Sequence, residues 1–230
     1  FCILKNKYAI LSQHLGDMDK LESNVFFKDT LGIYNNLFNI KNYDIICVDK
    51  HPNYFSSRYG KEILEKENKK SKVICIQHHK AHAASVIAEN HLLGKKIAAF
   101  SWDGTGYGDD GKIWGSEIFF INEKMLFKRV GHLTEKILPG GEVSINRPYR
   151  MALTYIYNSW NETNKTPEIF EHYLREKFPH FNFIKEEELK IILFQINNNF
   201  NSIITTSMGR FFDAVSSILD IKHFSSYEGE

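Results

Sequence analysis

The stretch VICIQHHKAHAASVIAENHLLGKKIAAFSWD, Val73 to Asp103, changes its hydrophobic period twice. Val73, Ile74 and Ile76 form a short β-branched run that stops at Gln77, as a buried strand does. From His78 to Leu93 the small and apolar residues fall at helical spacing, and KIAAFSWD, ending at Asp103, is strand material again. A strand, a helix and a returning strand of these lengths make the repeating unit of an α/β fold. Working upstream, two short strands at Phe1–Leu4 and Tyr8–Ser12 flank the turn-like Lys5-Asn6-Lys7. A helix follows from Lys20 to Leu37, then the buried strand Tyr43–Asp49 and an amphipathic helix in YFSSRYGKEILEKEN. Residues 1–95 therefore read as a first α/β lobe with a largely parallel sheet.

Downstream, KIWGSEIFFIN and MLFKRVGHLT continue the strand that ends at Asp103, as an antiparallel meander around tight turns. After LPGG the pattern turns helical over Arg147–Asn158, Pro167–Phe178, Glu186–Asn197 and Thr206–Asp220, joined by Asn- and Lys-rich solvated connectors. Residues 96–230 read as a second lobe. The chain opens on a strand-like run and ends on SSYEGE without a closing cap, so it reads as a piece of a longer protein.

Composition narrows the function classes. Net charge is +1 with 25% charged residues, which gives no electrostatic case for nucleic acid or a membrane surface. No apolar run reaches membrane-spanning length, and no signal peptide is visible. Cys2, Cys47 and Cys75 are far apart, odd in number, and each sits in an apolar run; they read as buried free thiols in a reducing cytoplasm. With no CxxC pair, a zinc ribbon is excluded.

Two constellations carry chemistry. In the first, His78 and His82 stand four apart, so one helix face presents both imidazoles and can grip one ion. The positive end of the helix disfavours imidazolium and keeps the nitrogen lone pairs available. Ala81, Ala83 and Ala84 leave room around the pair, and His79 reads as an outer partner or a surface residue. The chain has ten histidines, so a polar helix start facing solvent is an equally valid reading of the spacing. Asp103 ends the strand that returns after this helix. His78, His82 and Asp103 can therefore converge into a two-imidazole, one-carboxylate set suited to zinc or iron.

The second is the loop SWDGTGYGDDGKIWG. Gly106, Gly108 and Gly111 satisfy a dinucleotide-binding spacing, and Gly106, Gly111 and Lys112 most of a P-loop. Both patterns need a helix directly after the glycines, and the sequel here is Ile113, Trp114, Ile118 and Phe119, which is strand. A hairpin remains. Its backbone N–H groups can form a nest for phosphate oxygens beside Asp103 and Thr105, or its glycines can simply serve a tight turn. An HExxH metallohydrolase is excluded, because His79 and Lys80 follow the first imidazole.

IQHHKAHAASVIAEN, SWDGTGYGDDGKIWGSE, LPGGEVSINRPYRMAL, TSMGRFFDAVSSIL and YEGE, in that order, resemble the carbamoyltransferase domain of the HypF family of hydrogenase maturation proteins. FCILKNKYAILSQHLGDMDKLE and DKHPNYFSSRYG look like the same family, so the resemblance covers nearly the whole chain. It implies two ribonuclease-H-like lobes of the actin, sugar-kinase and Hsp70 ATPase fold. It also implies transfer of a carbamoyl group from carbamoyl adenylate, made from carbamoyl phosphate and ATP with magnesium, to the C-terminal cysteine thiol of a HypE-like protein. The family's metal ligands fall on His78, His82 and Asp103, with a further aspartate beyond YEGE. Its phosphate-contacting loop falls on Gly104, Thr105, Gly106, Tyr107 and Gly108. Arg147, Arg150, Ser207, Gly209, Arg210 and Asp213 fall in motifs bordering the cleft, Arg147 and Arg150 as catalytic groups beside Asp103 and the others at the nucleotide. Glu142 departs from the more usual aspartate of a GGD. The alternatives are a carbamoyltransferase acting on a small-molecule hydroxyl or tRNA-linked acceptor, and a non-catalytic nucleotide-binding fragment.

Overall fold

In the computed structural model, the residues described are 1–66, 71–161 and 167–227. They form two compact units, Phe1–Gln77 and His78–Glu230.

In the first unit, β1 (Cys2–Lys5) and β2 (Tyr8–Leu11) pair antiparallel through a two-residue turn in which Asn6 takes a left-handed φ of 55°. After α1 (Leu21–Leu37), β3 (Ile45–Asp49) pairs in parallel with β4 (Lys72–Ile76), with α2 (Phe55–Lys66) as the crossover. The expected largely parallel sheet is corrected here. The described strands make two separate pairs, and only the pair with a helical crossover runs parallel, because a two-residue turn reverses the chain. Phe27 of α1 packs edge-on to Phe1, Phe55 and Tyr59 at centroid distances of 5.3, 5.6 and 5.9 Å, tying the N-terminus and both helices together. The expectation of buried thiols is also corrected: Cys2, Cys47 and Cys75 are exposed. Alternation explains two of them, since Ile3 and Val48 turn inward and their neighbours Cys2 and Cys47 turn outward.

The second unit begins with α3 (His78–Glu89), then β5 (Ile97–Tyr107), β6 (Ile113–Ile121), β7 (Phe127–Gly131) and β8 (Lys136–Pro139). A 3₁₀ turn over Gly141–Ser144 leads into α4 (Pro148–Asn161), α5 (Pro167–Lys177), a 3₁₀ turn over Pro179–Phe183, α6 (Glu186–Asn198), β9 (Ser202–Thr205) and α7 (Met208–Ile218). The meander β5–β6–β7 is antiparallel as expected. Beyond it, β9 joins β6 in parallel and β8 in antiparallel sense, giving the order β5-β6-β9-β8 with β7 also on β6. Helix α3 belongs with this unit, ahead of the 95/96 division read from sequence, because Ala83 and Ile87 bury against Trp114, Phe119 and Ile121 of β6. Strand β5 also runs through the glycines to Tyr107, with a register shift between Trp102 and Gly106, so the turn is confined to residues 108–112.

The largest apolar cluster is helical. Leu153, Tyr157 and Trp160 of α4 meet Phe170 and Leu174 of α5, Phe181, and Leu189 and Ile192 of α6. Leu138 of β8, Met151 of α4 and Ala214 of α7 form a second contact that holds α7 to the sheet. Leu153→Ala removes a fully buried side chain from the larger cluster and is expected to cost about 2–5 kcal/mol in urea denaturation. A loss below about 1 kcal/mol would mean this cluster is not what holds the unit together.

Candidate functional site

The first turns of α3 carry His78 and His82 on one face, with their Nε2 atoms 3.1 Å apart. Asp103, near the middle of β5, reaches the same point. Its Oδ2 lies 3.1 Å from His78 Nε2 and 3.7 Å from His82 Nε2. Its Oδ1 accepts the Gly104 N–H at 2.7 Å, which fixes the carboxylate's orientation. Burial pushes the Asp103 carboxyl upward, but the His78 hydrogen bond, the Gly104 N–H and the neighbouring imidazoles outweigh it and hold the pKa below its ordinary value.

His78, His82 and Asp103 are the group of potential metal ligands found among the described residues. Metal–ligand bonds of about 2.0–2.2 Å place adjacent ligand atoms about 3.0–3.5 Å apart, close to the separations here. Two imidazoles and one carboxylate suit zinc or iron. The His82 side chain is 56% exposed, which leaves an open side for water or substrate. The donor set therefore fits a divalent cation.

Of the two sequence readings of His79, an outer partner or a surface residue, the structure excludes the second. The His79 ring is fully buried, with Nε2 3.6 Å from Asp103 Oδ2 and the ring 6.2 Å from that of Trp114. The backbone of β5 makes room for it: a Cβ on Gly106 would stand 2.3 Å from His79 Cε1. Desolvation lowers the His79 pKa to about 4, against the pull of Asp103, so the ring is neutral at pH 7. Sequence held one clue, since His79 lies three residues before His82 and so near the same face.

Asp103 also lines a cavity of about 350 Å³, together with Gly104, Pro148, Gly209, Arg210, Phe212, Asp213, Ser216, Lys222 and Ser225. Its floor is the start of α7. Ser207 caps that helix by accepting the Arg210 N–H at 3.0 Å, and its hydroxyl also meets the carbonyls of Asp103, at 3.2 Å, and Gly104. Of the sequence-predicted residues, Gly104, Gly209, Arg210 and Asp213 thus meet at the cavity, and Ser207 braces it. Arg210 is buried and ion-paired to Asp213 at 3.0 Å. Thr105 and Tyr107 continue β5 past the cavity, and the Gly108 N–H opens the hairpin by bonding Lys112 O at 2.9 Å.

Arg147 and Arg150 are not among the residues lining this cavity. Both engage Glu188 of α6, with Arg147 Nη1 at 3.4 Å and Arg150 Nη2 at 3.6 Å. Arg150 is buried and also donates to Pro139 O at 3.1 Å and Gln195 Oε1 at 3.4 Å, joining α4 to β8 and α6.

Glu117 was likewise not singled out. It is fully buried and accepts from the N–H groups of Gly115 and Ser116, the Thr206 hydroxyl at 2.7 Å and the Arg129 guanidinium. Arg129 stacks 3.8 Å from the centroid of the Trp114 ring. The clue was a lone carboxylate in the apolar strand IWGSEIFFI, which needs a buried partner.

Family models described as "HypF Kae1-like domain" and "Carbamoyltransferase, Kae1-like Domain, second subdomain" match residues 1–89 and 99–230. The probable carbamoyltransferase HypF of Methanocaldococcus jannaschii is 35% identical over 229 residues, which is 100% of this chain and 28% of that protein. The carbamoyltransferase HypF of Synechocystis sp. is 30% identical over 237 residues, 99% of this chain and 29% of that protein. The crystal structure of full-length HypF in the phosphate- and nucleotide-bound form superposes with a TM-score of 0.83 at 34% identity, covering 99% of this chain and 27% of that one. That of T. kodakarensis HypF gives 0.80 at 26% identity, covering 100% and 29%. The chain spans less than a third of the length of these relatives.

Two outcomes follow from the geometry. In the metal-free protein, unfolded His79 takes up a proton below pH 6.5, whereas the folded ring resists it to about pH 4. Stability is then complete above pH 6.5 and falls by up to about 3 kcal/mol as pH drops through that window. His79→Gln should remove this slope in urea titrations at stepped pH, and an unchanged slope would show that His79 is not the group responsible. Arg150→Ala should cost about 2–3 kcal/mol of stability, because it removes the buried guanidinium that joins α4 to β8 and α6 and takes the Arg150 donor from Gln195 Oε1. Nucleotide affinity of the folded variant should be unaltered; a selective loss of affinity would return Arg150 to the substrate.

Proposed function

This chain belongs to the HypF family, through its carbamoyltransferase Kae1-like domain, and from that premise we propose that it passes the carbamoyl group of carbamoyl adenylate to the C-terminal cysteine thiol of a HypE-like protein in hydrogenase maturation. The single observation that carries this reading is that Asp103 belongs both to the imidazole cluster and to the wall of the adjacent cavity.

In this reading His78, His82 and Asp103 hold a divalent metal, zinc or iron. The bound metal supplies Lewis acidity toward a carbonyl or phosphoryl oxygen. The chain's own residues do the rest. The first turn of α7 at Gly209 places helix-end N–H groups and partial positive charge at the cavity floor, where a phosphate of the adenylate, or of ATP with its magnesium, is stabilised. The Ser207 hydroxyl holds that helix end against Gly104, so the phosphate-facing groups keep a fixed relation to Asp103. The acceptor sulfur attacks the carbamoyl carbon, the bond from that carbon to the phosphate oxygen breaks, and AMP departs. The thiol proton passes to solvent. No cysteine of this chain is required, since the nucleophile belongs to the partner. A cytoplasmic setting goes with this chemistry; among the described residues no helix is long and apolar enough to cross a membrane.

The test is to incubate the protein with carbamoyl adenylate and a peptide ending in cysteine, then weigh the peptide. A mass gain of one carbamoyl group is expected. Nucleotide binding without any gain would point instead to a non-catalytic nucleotide-binding module. His82→Ala should lower bound metal per chain and slow transfer by more than the about 10–100-fold typical of losing an outer partner of a ligand. Unaltered metal content would remove His82 from the ligand set.

A further inference from the structure

We propose that a second cavity, walled by Lys136 of β8, Tyr155 of α4 and Phe211 of α7, binds a small organic carboxylate, with the acid group on the Lys136 ammonium and its apolar body against the two rings. The site is separate from the transfer reaction: none of the residues lining it lines the Asp103 cavity.

The cavity measures about 290 Å³ and is lined by Leu133, Thr134, Lys136, Tyr155, Ser159 and Phe211. Each wall is held by the fold. Lys136 opens β8 in register with Thr205 of β9. Tyr155 and Ser159 stand four apart on α4 and so share a face. Phe211 comes from α7, its ring 5.5 Å from that of Tyr155 at an interplanar angle of 61°. The connector before β8 is pinned by the Leu133 N–H, which donates to Ser116 Oγ at 2.9 Å. Thr134 and Ser159 are exposed and mark the mouth, while Lys136, Tyr155 and Phe211 are half-buried.

Lys136 is the charged side chain of this lining, and no acidic residue shares it. Its ammonium stands 5.3 Å from the centroid of the Tyr155 ring. A ring face attracts a cation without neutralising it. Among the described residues no carboxylate pairs with Lys136, and the adjacent Glu135 is taken by Lys112. The cavity therefore carries a net positive charge. Hydroxyls of Tyr155, Thr134 and Ser159 surround that charge with further donors. Burial pushes the Tyr155 phenol up from its ordinary pKa, so its proton stays in place at neutral pH.

Charge and shape together name the ligand class. One ammonium balances one carboxylate, whose two oxygens can accept from Lys136 and a hydroxyl at once. A phosphate ester would keep charge uncompensated, because the lining holds no second cation. Leu133 and the two rings make the remainder of the wall, which favours an apolar body over an inorganic anion. The volume stands at the small end of ligand pockets, about 300–1,000 Å³, so the acid is a small free molecule of about ten heavy atoms.

The experiment is an NMR titration of three probes: 3-phenylpropanoate, its neutral amide, and a tripeptide ending in phenylalanine. Each is added to the wild-type protein and to Lys136→Met, Lys136→Arg and Ser159→Trp. Wild-type protein should bind the acid in about the millimolar range, as suits a ligand of this size, and about tenfold tighter than the amide. Lys136→Met keeps an apolar stem beside Tyr155 and removes the charge, so the acid should fall to the level of the amide. Lys136→Arg should retain most of the affinity. Ser159→Trp closes the mouth from an exposed position and should abolish binding of both, with circular dichroism unaltered. Equal binding of acid and amide, or acid binding unchanged in Lys136→Met, overturns the charge contact. Binding unchanged in Ser159→Trp places the acid elsewhere and overturns the site. Tighter binding of the tripeptide than of the acid would assign the cavity to a chain end instead of a small molecule, and no binding of the acid ends the proposal.

Discussion

Gly209, in the first turn of α7, lies so close to β5 that a Cβ on it would stand 2.7 Å from the Gly104 Cα. No side chain fits between those backbones, and the Ser207 hydroxyl closes the gap by bonding the carbonyls of Asp103 and Gly104. This contact fixes the start of a helix against the strand residues Asp103 and Gly104. Asp103 can then turn Oδ2 to the α3 imidazoles while its residue also borders the cavity above α7. A looser junction would separate the two, and the cluster and the cavity would become unrelated features of one surface.

The junction is supported from beneath by Glu117. An isolated buried carboxylate costs several kcal/mol, so it persists only where donors surround it. Glu117 has two backbone N–H groups, the Thr206 hydroxyl and the Arg129 guanidinium. The Thr206 bond matters most for the site, because Thr206 precedes the Ser207 cap and is thereby tied to the middle of β6. Trp114 joins the same frame, stacked by Arg129 and bonded through its indole N–H to Asp110 at 2.8 Å. One polar network thus holds the hairpin, the helix start and the ring beside His79 in register.

How much of this was legible in the sequence depended on whether the information was local. The strand-helix-strand around Val73–Asp103 and the helices of the second half follow from period alone. The convergence of His78 and His82 followed from i,i+4 spacing, and that of Asp103 from the return of a strand to the edge where a helix begins. Strands β8 and β9 were missed because each has four residues and gains its partner only in the folded sheet. For His79 the sequence could not choose between an outer partner and a surface residue, because its burial depends on Gly106 lying opposite it, a contact between residues 27 apart. Arg147 and Arg150 carry charges that look catalytic in a motif, yet Glu188, about forty positions along, is what they meet. Lys222 has no spacing signal at all; only the path of the chain after α7 brings it to the cavity.

The proton arrangement at Asp103 sets His79 apart from the His78, His82 and Asp103 group. His78 Nε2 stands 3.1 Å from both Asp103 Oδ2 and His82 Nε2, and one proton cannot serve two such contacts at once. Facing lone pairs would repel, and charging all three rings would set imidazolium against imidazolium. A divalent cation, if these residues held one, would remove the conflict by drawing on lone pairs of His78, His82 and Asp103 together. His79 then has a different task. Held neutral by burial, with Nε2 3.6 Å from the same carboxylate oxygen, it can present an N–H toward Asp103 without adding a charge that would oppose the cation. Such outer donors orient a ligating carboxylate. A charged ring here would press a positive charge against two other imidazoles, so the desolvation that makes His79 hard to protonate is what makes it compatible with its neighbours.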